Sequence, residues 1–236
     1  MGERVETQRR RFLRLQAFDH DLDPVAWKSG RLAGVDEAGV GPLAGPVVAA
    51  AVILSPSFEL PELFDSKQMT AAARRRCERV IRAQAIAFAL ARVSSVSIDR
   101  LNIRNAMLRA HRRALARLAV RPTAVAIDGK VLLRPPAGWS GSLQAIVGGD
   151  HRSLAIAAAS VLAKCARDRT MRRLDSAHPG YGFARHKGYA TEEHMEALRR
   201  LGLSPVHRRR FCGFLAVEAA RAQQISFVWE RESDMA

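Results

Sequence analysis

Four acidic residues carry the chemistry open to this chain. Asp36 and Glu37 stand side by side at the end of a short apolar run that begins at Arg31. Asp128 closes a second run, from Thr123, and Asp150 follows a third, Leu143 to Val147; each of the four has glycine close by. Strand ends along one edge of a sheet are where α/β proteins gather active-site groups. Four acids brought together without basic partners repel one another, so the pattern suits a site for hard, oxygen-seeking cations such as Mg2+ or Mn2+. Two such ions roughly 4 Å apart can activate a water and stabilise the leaving oxygen of a phosphodiester. For Asp128 alone an ordinary Asp-Gly turn is an equal alternative.

The segment after Glu37 is glycine-rich: Gly39-Val40-Gly41-Pro-Leu-Ala-Gly45-Pro46. It is not a dinucleotide fingerprint, because the third glycine comes one position late and a strand follows where a helix should open. No Walker A motif is present. Bare backbone beside two acids suits close approach to a sugar-phosphate. His178, His186 and His194 recur every eight residues, with His207 and Cys212 beyond, and neither spacing matches a zinc site. Those histidines either face nucleic acid or stabilise the fold.

The formal charge is +15, from 38 Lys and Arg against 23 Asp and Glu. So basic a chain suits a polyanionic partner, above all nucleic acid. A codon bias toward arginine would produce a similar excess. Three scattered cysteines, Cys77, Cys165 and Cys212, make no disulfide framework. No apolar run approaches the roughly 18 residues of a membrane span, and residues 1–14 lack a signal-peptide core, so a cytoplasmic protein without a membrane partner is expected.

Around the acids the pattern alternates strands and helices. Residues 1–29 are expected to be a helix and loop forming a solvated arm. The runs 31–36 and 47–54 can pair as a hairpin across the glycine loop. A helix from Thr70 to Gln84, a strand 86–93, and a single helix from Ser97 to about Leu118 follow, the last with Leu101, Leu108 and Leu115 on its buried face. Strands end at Asp128 and near Val147. A long helix runs from His151 to about Leu174, another starts at Thr191, and a further one spans 211–222. The class is mixed α/β.

Several motifs then occur in one order: Val35-Asp36-Glu37-Ala-Gly39-x-Gly41-Pro-x-x-Gly45-Pro46, Asp65-Ser66-Lys67, Ile127-Asp128-Gly129, Gly149-Asp150, Ala158-Ala-Ser160-x-Leu-Ala-Lys164-x-x-Arg167-Asp168, Tyr181-Gly-Phe-x-x-His186-Lys187-Gly188-Tyr189-x-Thr191, and His207-Arg208-x-x-Phe211. Over residues 31–213 the chain resembles bacterial type II ribonuclease H, ribonuclease HII. The resemblance implies a ribonuclease H-like fold, a mixed central sheet flanked by helices, with a small C-terminal helical region. The corresponding division is an arm (1–29), a catalytic domain (30–190), a helical region (191–222) and a tail (223–236). It implies metal-dependent cleavage of RNA in RNA–DNA hybrids, and incision 5′ of single ribonucleotides in duplex DNA, leaving 3′-hydroxyl and 5′-phosphate ends. By motif position Asp36, Glu37, Asp128 and Asp150 hold the metal. Gly39, Val40 and Gly41 read the ribose 2′-hydroxyl through the backbone, Tyr189 stacks on the junction sugar, and Lys67, Ser160, Lys164, His186 and Lys187 lie near phosphates.

The chain departs from the family pattern twice. Val40 stands where arginine is usual, and Gly148 where lysine is usual; both changes remove positive charge. Two rival functions therefore stay in view, a non-catalytic or weakly active hybrid-binding relative and a two-metal nuclease acting on DNA. The family is usually monomeric. The tail, Gln224 to Trp229, loosely resembles peptides that dock on sliding clamps, though local packing of the tail is the plainer expectation.

Overall fold

Alternation along the strands decides the architecture. β1 (Leu32–Ala38) and β2 (Val47–Ile53) pair antiparallel, with Asp36 opposite Ala50 and Val35 opposite Ala51. In this computed structural model, residues 2–130, 133–135 and 137–214 are described. The clamp-like stretch 224–229 and most of the expected helix 211–222 lie outside them. β3 (Ala87–Val93) pairs antiparallel with β2, while β4 (Ala124–Asp128) and β5 (Ser142–Ile146) extend the sheet in parallel on the other side of β1. The strand order is β3-β2-β1-β4-β5, so β1 is central and the sheet is mixed, as expected.

β2 is buried along its whole length, which is why it reads as a continuous apolar run. Its two faces meet different layers. Ala50 and Val52 join Ala157, Ala158 and Val161 of α6 (Leu154–Ala177) in the main core. Two shorter helices, α1 (Gly2–Leu22) and α2 (Pro24–Lys28), precede β1, and α3 (Ala71–Gln84) lies between β2 and β3. Thr70 caps α3, as the sequence suggests.

α1 departs from the expected solvated arm. Phe12 and Leu15 are fully buried in the main core, and Arg11 lies over the Phe64 ring. The buried Asp19 accepts from the Ala155 N–H, so a side chain of α1 caps the start of α6. The apolar spacing of Phe12, Leu15, Phe18 and Leu22 was masked by the arginines between them.

The expected single helix after β3 is two helices, α4 (Ser95–Leu101) and α5 (Ile103–Ala116). Asn102 takes φ 66 at the break and caps α5 by accepting from the Asn105 N–H. Asparagine tolerates the left-handed region and competes for backbone donors, so it ends one helix and starts the next. The buried face of α5 is Ala106, Ala110, His111 and Ala114 rather than the leucine heptad. Alanines let the helix approach the sheet closely.

The chain divides into two compact units, Met1–Val40 with Pro46–Thr170, and Gly41–Gly45 with the described residues from Met171 onward. The boundary falls inside α6, ahead of the position expected for a C-terminal region. The second unit contains α7 (Phe183–His186) and α8 (Glu192–Leu201). There the glycine-loop segment is held by its own unit: Leu43 N–H donates to Gly188 O, Gly45 N–H to Val206 O, and Arg208 Nε to Gly45 O.

His186, His194 and His207 of the second unit have their ring nitrogens committed to internal hydrogen bonds. Gly188 N–H donates to His186 Nδ1, so the ring's Nε2–H donates to Tyr181 O at 2.7 Å. His207 Nδ1 accepts from Ser204 N–H, so its Nε2–H donates to His194 Nε2 at 3.0 Å, and His194 Nδ1–H donates to Tyr189 O. Of the two roles open to these rings, stabilising the fold is the one observed. Burial, then the neighbouring His194, push His207 down from 6.5 to about 4. A base held low in the fold stabilises fully above its unfolded value and loses that contribution as pH falls from 6.5 to about 4. The loss is about 3 kcal/mol. Denaturant titrations at pH 7 and pH 4 should show that loss in the wild type. In His207→Gln, less stable at pH 7, the same pH change should cost distinctly less.

Candidate active site

β1 and β4 run parallel with Val35 beside Ile127, so Asp36 and Asp128 emerge together at the C-terminal edge of the sheet. Asp128 in turn pairs with Ile146 of β5, and the single helical turn Gly149–His151 brings Asp150 in just beyond. The four acids thus come from three adjacent strand ends, as their shared sequence context suggests. Gly34 makes the packing behind them possible, since a Cβ there would lie 2.1 Å from the Ala155 backbone at the start of α6.

Strand alternation sends the adjacent pair to opposite faces. Asp36 shares the α6 face, where Ser160 favours its charged form, and the Glu37 N–H donates to its carboxylate at 2.6 Å. Glu37 shares the α5 face, where its Oε2 lies 2.8 Å from Nε2 of the buried His111. Asp128 Oδ1 accepts from Gly149 N–H at 2.7 Å. Lys67 Nζ lies 3.4 Å from Asp150 Oδ2, carried there by the turn in which Asp65 Oδ1 accepts from Lys67 N–H.

Electrostatics identify what this group lacks. Burial, then the charges of Glu37 and Asp128, push Asp36 well above the usual carboxylate range. Asp128 is also raised, by burial first and by Asp150 and Glu37 against the Gly149 N–H and Lys67. Burial disfavours the Lys67 ammonium, but Asp150 and Asp36 outweigh it and hold the group above its ordinary value. One mostly exposed lysine does not balance four carboxylates. The donor set, all oxygens with uncompensated charge, therefore fits divalent cations.

The chain matches the family model described as Ribonuclease HII over residues 33–214. The chain belongs to the ribonuclease HII family. A curated relative, Ribonuclease HII of Nitrosococcus oceani, is 50% identical over 181 residues, covering 77% of this chain and 88% of that protein. The fold is also like that of ribonuclease H2 from Pyrococcus horikoshii (TM-score 0.64, 23% identity, 76% of this chain and 92% of that one). It resembles Bst-RNase HIII in complex with Mn2+ as well (TM-score 0.57, 22% identity, 75% and 64% of the two chains). The chain is therefore a ribonuclease H, an endoribonuclease of RNA–DNA hybrids, and its acidic residues fit a divalent metal site.

The remaining expected site residues are placed unevenly. Val40 is exposed, and Gly41 has open space where a Cβ would stand. Gly39 is different: at φ 96, a Cβ there would meet the buried Arg167 side chain at 2.0 Å and Pro46 O at 2.8 Å. Lys164 is paired with Asp168 at 2.9 Å. Ser160 is buried and bonded to Ser66 Oγ at 2.8 Å, close enough to Asp36 to favour its charged form. His186 has both ring nitrogens committed inside the second unit. Lys187, in the left-handed region at φ 56, and the exposed Tyr189 also belong to that unit.

Asp65, His111 and His151 were missed. Asp65, Asp150 and His151 offer ligand atoms within 4.8 Å of one another, so Asp150 is shared by a second group able to hold a cation. Adjacency to Asp150 could have flagged His151. Nothing local flags His111, an isolated histidine in an arginine-rich helix.

Among the described residues no helix is long and apolar enough to cross a membrane.

Proposed function

We propose that this enzyme incises duplex DNA on the 5′ side of single embedded ribonucleotides, besides cutting the RNA strand of hybrids, and leaves 3′-hydroxyl and 5′-phosphate ends. The observation that supports this most is the buried carboxylate group whose mutual repulsion is uncompensated. Asp36, Glu37, Asp128 and Asp150 would hold two Mg2+ or Mn2+ ions, which when bound supply an activated water and stabilise the leaving oxygen.

The chain's own residues do the positioning. The Glu37 N–H holds Asp36 in one orientation, and the Gly149 N–H does the same for Asp128. From motif position we assign the backbone of Gly39, Val40 and Gly41 to the ribose 2′-hydroxyl, the group that distinguishes RNA from DNA. Gly41, unneeded by internal packing, is the natural point of close approach. Tyr189 is assigned to the junction sugar, and Lys67, Lys164 and Lys187 to phosphates, which fix register without reading sequence. Lys164 must exchange its Asp168 partner to do so. The enzyme would act as a cytoplasmic monomer.

A second reading, a weakly active hybrid binder, is favoured by one feature, the uncharged Val40 and Gly148 beside the acids. One assay separates them: a duplex carrying a single ribonucleotide and an all-DNA duplex of the same sequence, each with Mg2+ or Mn2+. The expected result is a single cut 5′ of the ribonucleotide and none in all-DNA. Binding without cutting would establish the weaker function, and equal cutting of both duplexes a nuclease for DNA.

A further inference from the structure

α5 presents an alanine face to the sheet, and one polar residue interrupts it. His111 is fully buried among Ala106, Ala110 and Ala114. Its Nε2 lies 2.8 Å from Glu37 Oε2. Its Nδ1, also buried, has no hydrogen-bond partner among the described residues. A buried ring nitrogen without a partner costs free energy that an apolar side chain of similar size would not. The ring is therefore poor as packing, and its one bond goes to a carboxylate of the acidic group.

We propose that His111 is a positioning residue for Glu37. Its Nε2–H donates to Oε2 and fixes the carboxylate's rotation, which leaves Oε1 for a cation. The inference rests on Glu37 being a cation ligand, as proposed above. Asp36 and Asp128 are each held by a backbone donor, the Glu37 N–H for the one and the Gly149 N–H for the other. Glu37 has a longer side chain with more rotamers, and among the described residues its hydrogen-bond partner is His111. Hydrogen bonds behind metal-binding carboxylates keep them oriented, and losing one typically weakens metal affinity or activity 10- to 100-fold.

The test uses the full chain and three variants. His111→Leu and His111→Met fill the ring's space without a donor, the second tolerating an irregular gap if the first packs badly. His111→Gln keeps a donor. Mn2+ binding is measured by titration calorimetry without nucleic acid, thermal unfolding without metal, and kcat and KM on a hybrid duplex. Leucine or methionine should leave the melting temperature unchanged or higher, weaken Mn2+ binding at least about tenfold, and lower kcat with little change in KM. Glutamine should recover most of the Mn2+ affinity. Wild-type Mn2+ affinity in the leucine or methionine variant, or glutamine no better than leucine, would overturn the positioning role alone. A wild-type chain that binds no Mn2+ would overturn it together with the cation site on which it rests.

Discussion

Asp36→Asn is expected to abolish cleavage while making the metal-free protein more stable. The first effect follows from losing a charge that helps hold the cations. Metal-ion stabilisation of the transition state is worth several kcal/mol, so the loss in kcat is at least ~1000-fold. The second follows from the sign of the shift at Asp36. Its carboxyl is held above its unfolded value by burial and by Glu37 and Asp128. Such a group favours the fold only in its protonated form, and as pH rises past the unfolded value that contribution is lost, so at neutral pH the buried carboxyl opposes folding. Asparagine carries no charge, keeps an acceptor for the Glu37 N–H, and fits the same space. A gain of about 1–2 kcal/mol, roughly 3–6 °C, is expected from scanning calorimetry in EDTA. Added Mg2+ should raise the wild-type melting temperature and narrow the gap. A lower melting temperature for the variant in EDTA would mean that the acids are not under mutual repulsion.

The two loop glycines should respond in opposite ways to the same substitution. In Gly39→Ala the new methyl meets the Arg167 side chain and Pro46 O, at a backbone angle that disfavours any Cβ. Arg167 is buried and its Nε donates to Pro46 O, so it cannot swing aside. About 3 kcal/mol of stability should be lost, from strain and overpacking together. In Gly41→Ala nothing lies within 4 Å of the methyl, so the melting temperature should stay within about 1 °C. If the backbone there approaches the ribose, the methyl should lower kcat/KM on the embedded-ribonucleotide duplex by at least about tenfold. Equal stability in both variants would show that Gly39 does not hold the loop. Full activity in Gly41→Ala would place sugar recognition elsewhere.

Much of this protein was legible one residue at a time. The four acids were identifiable because each follows an apolar run and stands near a glycine, and parallel strands deliver such positions to one edge. β2 and the hairpin followed from continuous hydrophobicity across a short glycine loop. Local chemistry also exposed the caps at Thr70 and Thr191. Where arginines were interspersed the pattern misled: α1 was expected in solvent, yet Phe12 and Leu15 are core. The leucine heptad of α5 likewise pointed to the wrong face, because alanine packs a helix against a sheet more closely than leucine allows.

What the sequence by itself determined is the kind of chemistry: oxygen ligands for hard cations, a bare backbone loop, and a charge suited to a polyanion. Tertiary structure alone decided which groups serve those acids. Ser160 is bonded to Ser66 beside Asp36, while His186 has both ring nitrogens committed to backbone groups. His111, 74 positions from Glu37, could be found only once α5 lay on the sheet. A hydrogen bond between distant residues leaves no periodicity to read, because its partners are set by how whole elements pack and not by spacing within either one.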